Sequence, residues 1–258
     1  MLTGGSAPRK DFFKILKYVK ETGFVNVHID TNGRIFSNKE FAKKVLEIYP
    51  HPIFSISLHS SNSEIHEKLT QSKDSWGETV NGIKNLVELG AYVCVVTLVC
   101  SLNHRELPKI VKFVKNIGAK EWFPILVRKE GSAEKIYPRL LISIDKIMPH
   151  LLEALRENII IATTGFPLCV LPHIKYSYEL RAIHSQKIIW HIDGSEVDEM
   201  KGRSNRKMKL PSCKDCMYFY MCEGILPEYT ELYGTKEFSP IQGKKITSMA
   251  DVEKLVKS

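Results

Sequence analysis

Apolar residues in the first half of the chain switch repeatedly between two spacings. Phe12, Phe13, Leu16 and Val19 recur at helical intervals, and the run stops at Gly23. Residues 24–30 (FVNVHID) then alternate with the period of a strand, closed by the turn residues Thr31, Asn32 and Gly33. Asn38 is placed to cap a helix over 39–49, and Pro50 and Pro52 mark the entry to a strand over 53–58. The same reading predicts a helix over 75–89 ended by Gly90 and a strand over 91–99. A helix over 105–117 ended by Gly118 and a strand over 121–127 follow.

Alternating helices and strands predict an α/β fold with a parallel sheet, because parallel neighbours need a helix-length crossover between them. The sheet is either doubly wound or curled into a barrel. The alternation opens on a helix, whereas such units open on a strand. The pattern therefore predicts a sheet whose first strand is missing, with an exposed edge or an open barrel.

After Val127 the pattern weakens. A helix over 143–157, a short strand over 159–162 and a hairpin arm over 186–194 are expected. Beyond Gly165, prolines, cysteines and basic residues replace any clear core pattern, and metal ligation would supply stability that burial does not. The expected organisation is a barrel core over 1–140 and a cysteine-rich C-terminal region over 141–258.

Composition narrows the class. The 258 residues are 43% hydrophobic and 26% charged, with a net charge of +8. No apolar run approaches the ~20 residues that cross a bilayer. The first residues lack a basic segment followed by an apolar one, so no signal peptide is expected and the cytoplasm is the expected compartment. Basic residues gather over 201–209 (KGRSNRKMK). They offer a grip on RNA, a phosphorylated substrate or an acidic protein, or else form a solvated loop. No aromatic residues interleave with them to stack bases, which argues against nucleic acid.

The chemistry concentrates in the cysteines. In the expected compartment six cysteines do not read as disulfides. Cys94 and Cys100 lie in an apolar run and read as small buried hydrophobes. Cys213, Cys216 and Cys222 form a C-x2-C-x5-C knot, and Cys169 follows the Gly165-Phe166-Pro167 turn. Four thiolates suit tetrahedral zinc or an iron–sulfur cluster. Zinc on the last three cysteines with a histidine such as His173 fits the spacing equally well.

A second group lies at strand ends, where parallel α/β folds bind ligands. The first strand end carries Thr31, Asn32 and Gly33; the second Ser57, His59, Ser60 and Ser61; the third Ser101, Asn103 and His104. Such a rim holds a small polar cofactor through hydrogen bonds. The alternative is a simple turn at Thr31-Asn32-Gly33 and a helix cap at Asn103.

Several stretches together resemble radical S-adenosylmethionine (radical SAM) enzymes of the molybdenum-cofactor and peptide-maturase type. They are residues 2–8 (LTGGSAP), Thr31-Asn32-Gly33, 56–60 (ISLHS), 76–83 (WGETVNGI), Asn103, and the tail residues Cys222-Glu223-Gly224, Tyr229, 233–237 (YGTKE) and Pro240-Ile241. The resemblance implies a partial (β/α)6 barrel. In it a [4Fe-4S] cluster cleaves S-adenosylmethionine reductively, and the resulting radical abstracts hydrogen from a substrate. It places Gly4 and Gly5 at the cofactor's amino group, Thr31 and Asn32 near the cofactor, and Ser57 and Asn103 at its carboxylate or ribose. It makes Cys169, Cys213, Cys216 and Cys222 ligands of an auxiliary iron–sulfur cluster. It also implies a small-molecule or peptide substrate and an electron donor such as ferredoxin or flavodoxin.

Two departures accompany the match. The family's C-x3-C-x2-C cluster motif belongs upstream of the Gly-Gly stretch, and these residues do not contain it. Ser6-Ala7-Pro8 stands where the family usually has Gly-Gly-Glu-Pro, whose Glu would hold the cofactor's ammonium group. The expectation is a radical SAM enzyme read without its cluster strand. The alternatives are a zinc-stabilised α/β binding module and a degenerate non-catalytic partner.

Overall fold

The computed structural model describes residues 2, 9–182, 188–190, 196–198, 202 and 205–257. The chain divides into two compact units. The first is Met1–Ile125 with His150–Ile161, and the second is Leu126–Pro149 with Ala162–Ser258.

In the first unit, α1 (Phe12–Glu21) buries Phe12 and Leu16, one helical turn apart. It leads to β1 (His28–Thr31), α2 (Lys39–Ile48), β2 (Ile53–Ser57), α3 (Ser63–Thr70), α4 (Ser75–Glu88), β3 (Tyr92–Val99), α5 (Leu107–Asn116), β4 (Glu121–Leu126) and β5 (Ile160–Ile161). Asn38 caps α2 as expected, its side-chain oxygen accepting the Phe41 N–H at 3.1 Å. The strands are hydrogen-bonded in the order β1-β2-β3-β4-β5, with parallel register such as Asp30↔Ser55↔Cys94.

That sequential order decides between the two sheet types. Right-handed crossovers that all step the same way keep the helices on one face, and the sheet curls as in a barrel. A doubly wound sheet would reverse direction at a switch point. The sheet is not closed; on the outer side of β1, Leu2 forms a parallel bridge with Ile29, its N–H donating to His28 O at 2.7 Å.

Three local expectations change. The strand expected over 24–30 begins only at His28, with Phe24 63% and Val25 84% exposed. The helix expected over 105–117 splits into a 3-10 turn, His104–Glu106, and α5, with Pro108 in the first turn of α5. Helix α3 has no counterpart in the hydrophobic pattern, because His66 is its one buried residue. Asn62 starts it by accepting the Glu64 N–H at 2.7 Å.

The β1 turn docks on α4 through two glycines. Gly33 sits at φ 78, the left-handed region that glycine enters without strain. A Cβ on Gly82 would lie 2.2 Å from Gly33 O, so only glycine lets the helix approach the turn. Thr79 completes the contact, its hydroxyl donating to Asn32 O at 2.8 Å.

In the second unit, the start of the helix Ile144–Ala154 is tied to the tail. The Ile144 N–H donates to Tyr229 Oη at 2.7 Å and the Asp145 N–H to Glu237 Oε1 at 2.9 Å. Both are otherwise orphaned helix N-terminal donors. Glu237 also accepts from the Tyr229 hydroxyl. Ile188–Trp190, within the arm expected over 186–194, pairs antiparallel with Glu196–Asp198 beyond it; the rest of that arm lies outside the described residues.

Candidate functional site

The sheet of the first unit has two unlike faces. Ile29, Phe54, Ile56, Val93 and Val95 are buried on one of them. The alternate residues, His28 and Asp30 on β1 and Ser55 and Ser57 on β2, are only half-buried and share the other face. Parallel register puts Asp30 beside Ser55. A curled sheet with helices on its outside turns this polar face inward, where a barrel binds ligands. Ser57 is on it, as expected. Asp30 and Ser55 were not singled out from strand ends, although the period of two in 53–58 carried the signal.

The other rim residues are occupied by the fold itself. The buried Thr31 hydroxyl oxygen accepts the Gly33 N–H at 3.1 Å, and the exposed Asn32 accepts the Arg34 N–H at 3.2 Å. Asn103 is 0% exposed. Its Nδ2 donates to His59 O at 2.7 Å and to Leu98 O at 2.6 Å, while its Oδ1 accepts the Cys100 N–H at 2.9 Å. It does not cap the 3-10 turn. Its amide instead clasps the ends of β2 and β3, so its work is to hold the rim. Gly4 and Gly5 lie outside the described residues.

Two histidines brace the same corner. His59 Nδ1 accepts the Leu98 N–H at 3.2 Å and His66 Nδ1 accepts the His59 N–H at 3.1 Å, with the rings stacked 5.6 Å apart. Both rings are neutral with the proton on Nε2. Burial holds each pKa down at about 4, and for His59 the neighbouring ring lowers it further. A depressed histidine pKa means that the unfolded chain binds more protons below pH 6.5, so stability falls as pH drops from 6.5 to 4. The expected loss is about 1–2 kcal/mol per ring, after discounting for partial exposure. Urea unfolding across that pH range checks it. His66→Asn, which keeps an acceptor near Nδ1 and removes the titration, should roughly halve the slope.

The second unit gathers the four distal cysteines. Cys169, Cys213, Cys216 and Cys222 line one cavity of ≈ 30 Å³. Leu168, Phe219, Ile225 and Phe238 supply apolar wall. Cys213 ends a tight turn on Leu210, Cys216 a turn on Cys213, and Cys222 a turn on Tyr218. These successive turns aim residues nine positions apart into one space. Gly224, at φ 101, lets the next segment pass: a Cβ there would meet Met208 O at 2.3 Å. The Ile241 N–H donates to Cys216 Sγ at 3.4 Å.

Burial pushes the Cys169 thiol up to about 12, and the other three sulfurs add to the shift. Burial likewise takes Cys222 to about 11. The cavity thus brings together four thiols, an amide aimed at one sulfur and an apolar wall. Among the described residues no group of three or more His, Cys, Asp or Glu is already drawn to the spacing of a single bound ion. His173 has its Nδ1 turned to the Lys175 N–H at 3.0 Å and is not part of the cavity wall.

Beside Cys222 lies a buried charge cluster that the sequence pattern did not reveal. Lys207 pairs with Glu223 and stands 3.8 Å from Glu179 Oε1, with all three side chains largely buried. Ser177 donates to the other oxygen of Glu179. Burial raises the Glu179 pKa, against the attraction of Lys207. Of the basic stretch over 201–209, residues 201, 203 and 204 lie outside the described residues. Lys207 is this buried ion, and Arg206 pairs with Glu130 at 3.1 Å.

No helix among the described residues is long and apolar enough to cross a membrane. Residues 1–114 match the model of the radical SAM superfamily. A probable GTP 3′,8-cyclase of Methanocaldococcus jannaschii is 28% identical over 135 residues, 50% of this chain and 44% of the relative. One from Saccharolobus islandicus is 30% identical over 122 residues, 46% of this chain and 38% of the relative. The chain thus spans less than half the length of these relatives. Among solved structures, native anSMEcpe with bound AdoMet and Cp18Cys peptide matches with a TM-score of 0.52 and 14% identity, over 96% of this chain and 80% of that one. That likeness concerns the fold alone. The βα core of this chain, residues 1–114, is thus similar to the radical SAM superfamily, and the relatives that match it are probable GTP 3′,8-cyclases.

Proposed function

We propose that this chain supplies the barrel and an auxiliary-cluster region of a radical SAM enzyme, with Cys169, Cys213, Cys216 and Cys222 as ligands of an iron–sulfur cluster. The observation that carries the reading is the convergence of four thiols, from two segments more than forty residues apart, on one apolar-walled cavity.

In the barrel, Asp30, Ser55 and Ser57 are the groups offered to S-adenosylmethionine on the inward face. Thr31, Asn32 and Asn103 support them from behind the rim, and Gly4 and Gly5 keep the contact with the cofactor's amino group that the family resemblance gives them. S-adenosylmethionine supplies the radical chemistry of the family when bound. The 258 residues contain no C-x3-C-x2-C run, so no step through a catalytic cluster is assigned to them.

Anaerobic reconstitution with iron and sulfide tests the reading. The expected result is about four irons and four sulfides per chain. Cys222→Ser should lower both at least severalfold, whereas Cys94→Ser should not. One equivalent of zinc with no sulfide would sink the cluster and leave the zinc-stabilised module. The bound cofactor is checked separately by equilibrium dialysis of labelled S-adenosylmethionine against Ser57→Ala.

A further inference from the structure

The second unit carries two exposed patches of opposite charge, each built around a pair of adjacent apolar side chains. The first is an open cleft of ≈ 370 Å³ whose walls include Lys209, Lys214, Lys245, Phe219 and Tyr220. Phe219 and Tyr220 are 40% and 47% exposed. The second is the last turn of the helix Pro227–Tyr233. Leu232 and Tyr233 are 46% and 39% exposed there. The half-buried Glu228 and the exposed Glu231 stand three positions apart on one face of that helix.

Both patches are held in shape before any partner arrives. Lys209 Nζ donates to Phe219 O at 2.6 Å and stands 4.3 Å from the centre of the Phe219 ring. Lys245 Nζ donates to Lys214 O at 2.9 Å, and each ammonium keeps donors for a partner. On the helix, the Tyr233 hydroxyl donates to Leu141 O at 3.1 Å, and its ring centre lies 5.3 Å from that of Tyr229. The patches are also neighbours. The Thr230 hydroxyl donates to Met208 Sδ at 3.7 Å, so Met208, next in the chain to Lys209, joins the helix to the cleft. Some charges offset this pattern. Asp251 is engaged with the Thr247 and Ser248 N–H groups, exposed Asp215 follows Lys214, and exposed Lys236 lies beyond the helix end.

Apolar anchors inside a charged rim have the anatomy of a protein interface, and a rim of one sign selects a partner of the other. Here one chain carries both signs on neighbouring patches. A twofold axis between two copies sets each patch against its complement on the other copy, and such a contact closes at two copies. We propose that this face is a dimer interface of the chain with itself. Leu232 and Tyr233 of each copy enter the basic cleft of the other, and Glu228 and Glu231 are set against Lys214 and Lys245. The contact covers Phe219, Tyr220, Leu232 and Tyr233 on both copies, and removing such side chains from water is its driving force. Rings already fixed by their neighbours lose little freedom on binding. The interface requires no metal and no cofactor, so it stands apart from the cluster reading above.

The test follows the mass of the full chain by sedimentation equilibrium, under reducing conditions, from low to high salt. The parent should dimerise with a Kd that rises about tenfold at high salt. The pair Lys214→Glu with Lys245→Glu should raise Kd about tenfold or more, and so should the pair Glu228→Lys with Glu231→Lys. Each sets like charges against each other in both halves of the interface. An equimolar mixture of the two variants should recover the parent's Kd to within about threefold, because every contact in the mixed dimer again pairs opposite charges. Circular dichroism and the urea midpoint check that each variant is folded, and the salt titration of the parent needs no variant. A parent that stays monomeric at about 0.1 mM and low salt would overturn the interface. So would a dimer indifferent to salt and to both reversals, which would assign association to the open edge of the sheet. Folded variants that fail to recover on mixing, or species that grow beyond two copies, would overturn it as well. A monomeric chain that binds poly-glutamate in a salt-dependent way would give the cleft to an acidic partner instead.

Discussion

Asn103→Ala is expected to lower stability by about 3–5 kcal/mol, among the largest losses for any single side chain of the barrel rim. The amide makes three hydrogen bonds, to Cys100 N–H, His59 O and Leu98 O, and no solvent reaches it. Alanine leaves one donor and two acceptors without their partner in a buried corner, and each such group costs about 1–3 kcal/mol. Asn103→Asp should be at least as damaging. It keeps an acceptor for Cys100 but turns a carboxylate oxygen toward two carbonyl oxygens. Urea unfolding measures the loss; a change below ~1 kcal/mol for either variant would show that water replaces the clasp. The same variants separate support from contact. If Asn103 acts by holding the ends of β2 and β3, affinity for S-adenosylmethionine should recover in a background stabilised elsewhere. If it touches the cofactor, affinity should stay low.

Lys207→Met should have a comparable effect, about 3–5 kcal/mol near neutral pH, because it leaves the buried carboxyls of Glu179 and Glu223 facing each other with no cation between them. Its pH dependence distinguishes this cause from lost packing. Burial already raises the Glu179 pKa against the attraction of Lys207, and without the ammonium it rises further. Groups of that kind contribute stability that is fully present below the unfolded pKa and is lost as pH rises through the folded pKa. The gap between Lys207→Met and the parent should therefore widen from pH 4 to pH 8. A gap that does not change with pH would assign the loss to packing alone. Adding Glu179→Gln to Lys207→Met removes one of the opposed carboxyls and should restore part of the loss, since the two side chains share one network.

Much of the barrel was legible in the order of the residues. The 3.6-residue spacing of Phe12 and Leu16, the Asn38 cap and the glycines after α4 and α5 are local signals, and each element formed where those signals put it. Residues 24–27 show the limit. They alternate like a strand, but only from His28 onward is there a neighbour, Ile53, to complete the ladder. Helix α3 was hidden for the opposite reason: a side-chain cap and a single buried histidine sustain it without an apolar stripe.

The site shows the same division. The sequence by itself carried the likeness to radical SAM enzymes, through motifs in order, and marked four cysteines as a candidate ligand set, through spacings that need no coordinates. Only the tertiary structure decided geometry. It chose the barrel over the doubly wound sheet through strand order, turned Asp30 and Ser55 inward, and showed Asn103 clasping backbone. It brought Cys169 to the wall shared by Cys213, Cys216 and Cys222, and buried Lys207 between two glutamates that lie 28 and 16 positions away. The physical reason is range. Capping, turn and periodicity signals act over a few residues and are written locally. The partner of a buried amide, thiol or charge is set by packing between segments far apart in the chain.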